Sequence, residues 1–244
     1  MKKQNKEIKK QNKEIKKQNN NEVQISLSKK QVDSVLDLYS SGKINEAIHA
    51  IKALNEDYPN VPLLFNLLGA CYHQLRQFGA AAQFFETAFS IKPDYAEAFM
   101  NHGTALKESG ATDLASKSFL KAVQILPNYP EAHNKLGITF IDLNQYENAI
   151  EHLEWAVAYK YDFFEAYNNL GIANRELGHI DAASKNFEKA IEINQSYTLA
   201  ILNLGFIYKD LGKNEESIFC FERVLTIEPD NDQAKTNIKE LRSE

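Results

Sequence analysis

Two adjacent asparagines, Asn168 and Asn169, stand just ahead of a Leu-Gly pair in the stretch EAYNNLGIANRELG. Asparagine is a middling helix former that competes for backbone hydrogen bonds, so a pair of them inside a helical pattern points to a contact rather than to folding. A side-chain amide offers a C=O and an NH2, enough to pair with both the N–H and the C=O of an extended peptide without reading its side chains. The same two places recur along the chain. Asn66, Met100, Asn134, Asn168 and Leu202 form one column, and Leu67, Asn101, Lys135, Asn169 and Asn203 form the next. One turn further on come His73, Lys107, Ile141, Arg175 and Lys209. The amides are expected to hold a ligand backbone, their loss leaving the fold intact. The row Lys107, Arg175 and Lys209 is expected to favour acidic ligands in a salt-sensitive way.

Catalytic chemistry has no comparable signal. The chain carries no phosphate-cradling glycine loop, no His-Glu-x-x-His and no paired Cys-x-x-Cys, so no catalytic residue, metal or cofactor is assigned. Its six histidines fall in six different columns, and His102, beside Gly103, is read as packed. Glu97, Glu131 and Glu165 recur in register as a solvated helix face, which is no acid/base pair. Trp155 shares a column with Ala53, Thr87, Lys121, Lys189 and Arg223, so it is predicted to be partly exposed, with Tyr159 one turn away. It covers either its own helix or a partner or self-association surface.

The elements that position these side chains follow from an internal period. Gly69, Gly103, Gly137, Gly171 and Gly205 stand 34 residues apart, and twelve residues after each comes a small residue: Ala81, Ala115, Ala149, Ala183 or Ser217. The next columns read Phe85, Phe119, Leu153, Phe187, Phe221 and then Ala88, Ala122, Ala156, Ala190, Val224, with Pro93, Pro127 and Pro229 closing three units. A glycine inside a helix costs about 0.5–1 kcal/mol relative to alanine, so one repeated in register is expected to serve close approach of another backbone. Gly42, Gly110, Gly178 and Gly212 fall where a left-handed residue ends the first helix; Asn144 suits that role and Arg76 less so.

This pattern resembles the tetratricopeptide repeat, a 34-residue helix-turn-helix with Leu-Gly, Ala, Phe, Ala and Pro marks. Units are read at 62–95, 96–129, 130–163, 164–197 and 198–231, preceded by a degenerate one at 28–61, and followed by a capping helix at 232–244 whose Ala234, Ile238 and Leu241 face inward. The resemblance implies an all-α, right-handed superhelical solenoid whose first helices line a concave face. It also gives the asparagines a precedent, since they look like the asparagine ladder in the tetratricopeptide arm of O-GlcNAc transferases. Asn101, Asn169 and Asn203 match that column, while Leu67 and Lys135 break it. The lysine and asparagine pair with which related arrays clamp chaperone tails is absent.

Composition bounds the reading. At 244 residues, 43% hydrophobic and 25% charged, the chain is an ordinary soluble composition. Cys71 and Cys220 are about four units apart, out of disulfide reach, and are predicted to be buried thiols of a reducing, cytoplasmic setting. Residues 2–8 and 9–15 are identical copies of KKQNKEI, and the first 20 residues carry eight lysines against two glutamates. Against a net charge of −5 overall, that +6 leaves −11 on the rest. Residues 1–27 are therefore read as a disordered basic arm, either a plain solvated tail or a contact for nucleic acid or an acidic membrane. Three functions follow: a non-enzymatic scaffold holding an extended segment of another protein, a targeting subunit for a glycosyl- or sulfotransferase on another chain, and an adaptor whose arm tethers RNA or membrane.

Overall fold

The computed structural model describes residues 27–243; the basic arm lies outside them, except for Leu27. Thirteen helices are found among the described residues. Six pairs run α1 (Lys29–Ser40) and α2 (Ile44–Asp57), α3 (Pro62–Gln74) and α4 (Phe78–Ile91), α5 (Ala96–Glu108) and α6 (Thr112–Ile125), α7 (Pro130–Asp142) and α8 (Tyr146–Tyr159), α9 (Phe164–Glu176) and α10 (Ile180–Ile193), α11 (Thr198–Asp210) and α12 (Asn214–Ile227). A last helix, α13 (Asp232–Leu241), follows alone. No strand occurs among them, and each helix packs on the next, so the chain is an all-helical solenoid.

The hairpin turns are dictated by one residue per unit. Gly42, Arg76, Gly110, Asn144, Gly178 and Gly212 all have positive φ, between 56° and 86°. The following N–H then reaches back to the carbonyl five residues earlier, as Lys43 does to Leu38 and His179 to Asn174, each at 2.9 Å. This is the bond that satisfies a helix end when the chain turns through the left-handed region. Arginine is strained there. Replacing Arg76 with glycine should raise stability by about 0.5–1 kcal/mol in a urea titration, since side-chain-bearing residues resist this backbone. A fall would mean that the guanidinium, 5.8 Å from the Phe78 ring, stabilises more than the strain costs.

The core confirms the columns and corrects the role of the glycines. Phe85, Phe119, Leu153, Phe187 and Phe221 are buried, as are the small residues facing them. A Cβ built on Gly69 or Gly171 would lie 2.5 Å from Cε1 of Phe85 or Phe187, and one on Gly137 2.5 Å from Cγ of Leu153. What approaches each glycine is therefore the large side chain sixteen residues later, not another backbone. At the C-terminal end, Ala234, Ile238 and Leu241 of α13 are buried against the last pair, closing its apolar side. Cys71 and Cys220 are buried free thiols, and burial pushes both up to about 11.

Candidate functional site

First helices of successive units touch one another from α3 to α11, whereas second helices in successive pairs stand further apart. The first helices thus line the inner, tighter side of the array. On this face lie both asparagine columns, but the amides do not stand free.

Asn66, Asn134 and Asn168 are buried, and each accepts a hydrogen bond from an amide one unit further along. Asn101 Nδ2 donates to Asn66 Oδ1 at 3.1 Å, Asn169 to Asn134 at 3.0 Å and Asn203 to Asn168 at 3.0 Å. The neighbours Asn168 and Asn169 therefore face opposite ways in the array, one bonded forward and the other back. The spacing of 35, one unit plus one residue, was present in the sequence as its only signal. Alanine in the outer row strips a buried Oδ1 of its donor and so should cost stability even where the fold survives it.

An amide's two polar ends point apart, so tying down Nδ2 turns Oδ1 outward. Asn101 and Asn169 keep that oxygen without a partner among the described residues, while Asn203 Oδ1 receives Arg175 Nη1 at 3.5 Å. The inner row so orients the outer one. It is interrupted where Met100 and Lys135 occupy the paired places, and it ends at Leu202, whose paired place holds Asn237. Lys135 is half-buried, and its ammonium has no hydrogen-bond or ion-pair partner among the described residues. Burial and then Lys107 push its ammonium pKa down, with Glu108 acting the other way.

The three cations singled out as ligand-selecting are all engaged. Lys107 lies 2.8 Å from Asp142, Arg175 2.8 Å from Glu176, and Lys209 2.8 Å from Glu240, with Asn237 Oδ1 at 2.6 Å. Asn237, 34 residues after Asn203, extends the outer column onto α13 and was missed because the capping helix was read only for its apolar side. Of the glutamate face, Glu97 accepts from Asn66 Nδ2 at 3.2 Å and Glu131 pairs with Lys160 at 3.2 Å. Tyr95 and Tyr129 sit close by, their hydroxyls pushed up to about 12 by burial and then by these carboxylates.

Away from this face, Trp155 is 47% exposed and stacks on Tyr159, their ring centroids 5.5 Å apart. His102 is packed as expected, bonded to Ser118 Oγ at 2.9 Å and set edge-on against Phe89. The histidine columns hid one contact: His133 on α7 and His152 on α8 meet, Nδ1 to Nδ1, at 3.2 Å beside the Trp155 and Tyr159 rings. No group of three or more potential metal ligands occurs among the described residues, and none of their helices is long and apolar enough to cross a membrane.

Comparison with known proteins finds tetratricopeptide repeats in this chain. Family models described as tetratricopeptide repeat match residues 164–197 and 200–231, a TPR repeat model matches 139–178, and the coatomer epsilon subunit model matches 1–136. No curated protein matches the sequence. Among solved structures, PilW, titled a widely conserved type IV pilus biogenesis factor, is similar at TM-score 0.74 and 21% identity, over 84% of this chain and 96% of its own. YrrB, titled a TPR protein with an unusual peptide-binding site, is similar at TM-score 0.67 and 20% identity, over 78% and 98%. MamA is similar at TM-score 0.63 and 24% identity, over 66% and 94%. At these identities the likeness is one of fold.

Proposed function

We propose that this chain, which belongs to the tetratricopeptide repeat family, is a non-catalytic scaffold that holds an extended segment of another protein along the inner face of its array. The observation that carries this reading is the double row of amides, in which a buried asparagine fixes each outer one so that Asn101 and Asn169 present a carbonyl oxygen to the groove. Those oxygens are two layers apart, about 20 Å at ~10 Å per packed helix layer, which an extended chain covers in about six residues. Lys135 stands between them with a free ammonium, able to take a backbone carbonyl or a carboxylate of the same segment. The cation row adds less selectivity than its sequence promised, since each member already has an acidic partner. YrrB's described peptide-binding site supports a peptide as the ligand class, and the coatomer epsilon match supports membership of a multi-subunit assembly. Neither the transferase-targeting reading nor the RNA- or membrane-tethering one draws on a feature of this face.

The test uses peptides selected from a random display library against the whole chain. Two lost hydrogen bonds at about 0.5–1.5 kcal/mol each predict that Asn101→Ala/Asn169→Ala weakens binding roughly 5- to 150-fold. The loss should be similar for unrelated peptides, because the contact reads backbone. An Asn66→Ala/Asn134→Ala variant, which loosens the outer amides without removing them, should lose less. Circular dichroism and urea titration fix the temperature at which both remain folded. Unchanged affinity in the folded outer variant would remove the reading.

A further inference from the structure

On the outer side of the array, the boundary between α10 and α12 departs from the repeat pattern at two places. The fourth residue of the first helix is a ring in the four units just before this one, Phe65, Phe99, His133 and Tyr167, and becomes Ile201 here. Such a ring fills the space between units: Phe99 stacks on Phe89 of the unit before it, centroids 4.1 Å apart. Ile201 has no ring to reach across. On α12, Phe219 occupies a column otherwise held by His49, Gln83, Lys117, Glu151 and Lys185, and it is 66% exposed.

The result is a groove of 1010 Å³ between the two second helices, floored by Ile201 and Leu204 of α11 and walled by Ile191 and Phe219. Four carboxylates, Glu188, Glu192, Glu215 and Glu216, stand around this apolar strip. Lys189 pairs with Glu192, but the other three have no cationic partner among the described residues. The one cation lining the groove, Arg223, is tied to the Gln195 carbonyl at 2.6 Å. An occupant suited to it is basic, with isolated apolar anchors.

We propose that this groove is the docking site of the chain's own basic N-terminal segment, residues 2–20. The segment carries +6 against −11 on the remainder, and its apolar side chains are two isoleucines, Ile8 and Ile15, at the same place in each KKQNKEI copy with lysines on both sides. An isoleucine enters the strip beside Phe219 while the flanking lysines meet Glu188, Glu215 and Glu216. The two copies offer the groove the same anchor twice. At up to about 3.6 Å per residue the stretch from Ile8 to Leu27 spans about 68 Å and that from Ile15 about 43 Å, against about 50 Å for five helix layers, so Ile8 reaches the groove of its own copy and Ile15 that of a neighbouring copy. This contact is on the side opposite the amide face and is independent of the peptide-holding role.

The test is site-specific photocrosslinking in the full-length chain, with a benzophenone amino acid placed at Ile8 or at Ile15 and the products mapped by mass spectrometry. Crosslinks are expected in peptides from α10 and α12, above all those containing Phe219. Their yield should fall several-fold in Phe219→Lys, in Glu215→Lys/Glu216→Lys, and in high salt, where exposed charges are screened. These side chains are exposed, and circular dichroism verifies that the variants fold. No crosslinks, crosslinks spread over the array or gathered on the amide face, or a groove crosslink indifferent to Phe219→Lys, would each overturn the proposal.

Discussion

Replacing Phe187 with alanine is expected to lower the unfolding free energy by about 3–5 kcal/mol, the usual cost of deleting a fully buried ring. Phe187 has no exposed surface, and its edge occupies the place where a side chain on Gly171 would begin. Gly171→Ala alone should also destabilise. A methyl 2.5 Å from Cε1 forces the ring or the helix to shift, at about 1–3 kcal/mol, more than the roughly 0.5–1 kcal/mol alanine gains as a helix former. In the Phe187→Ala background the same methyl enters vacated space, so Gly171→Ala should change sign and stabilise. Contacting residues are where additivity fails, and a double-mutant cycle by urea titration reads the coupling directly. Each unit contacts only its neighbours, so hydrogen exchange should place the damage in α9 and α10 first. If Gly171→Ala destabilises equally in both backgrounds, the fit of ring to glycine is not what the repeated column encodes.

The same column shows what a sequence makes legible and what it withholds. A period of 34 places every helix and turn because each unit solves one packing problem in one way, and Gly178 or Asn144 announces its left-handed turn by residue type alone. That a glycine makes room for a phenylalanine sixteen residues on is not visible, because backbone approach and ring approach ask for the same residue. Asn168 and Asn169 drew notice as a pair, yet their partners are Asn203 and Asn134, each one unit plus one residue away. Comparing identical columns never brings those together. His133 and His152 were hidden in the same way, since a contact between two helices of one unit joins different columns. The outer groove is legible only as departures, Ile201 and Phe219, from what the other units place there.

That histidine pair makes stability depend on acidity over a defined window. His133 Nε2 donates to the Pro127 carbonyl at 2.9 Å, so in the neutral ring Nδ1 is bare and accepts the Nδ1–H of His152 at 3.2 Å. A second proton would set two N–H groups against each other. Burial lowers the pKa of both rings, His133 lowers that of His152 further, and the Pro127 bond and Glu151 oppose this only in part. A histidine whose folded pKa lies below its unfolded value of about 6.5 takes up protons more readily once unfolded. Its contribution is fully present above that value and is lost as pH falls toward the folded pKa. His102, lowered by burial, acts in the same direction. The melting temperature should therefore be level near pH 7.5 and drop by several degrees at pH 5.5, above the range where free carboxylates titrate. The neighbouring unit supplies the control, placing Tyr167 and Asn186 where this one has His133 and His152. His133→Tyr/His152→Asn should remove more than half of the drop, leaving the share of His102. Emission from Trp155, whose ring lies 6.5 Å from His133, should change with pH in the folded wild type and not in the double variant. An equal drop in both proteins would show that the pair titrates as freely folded as unfolded.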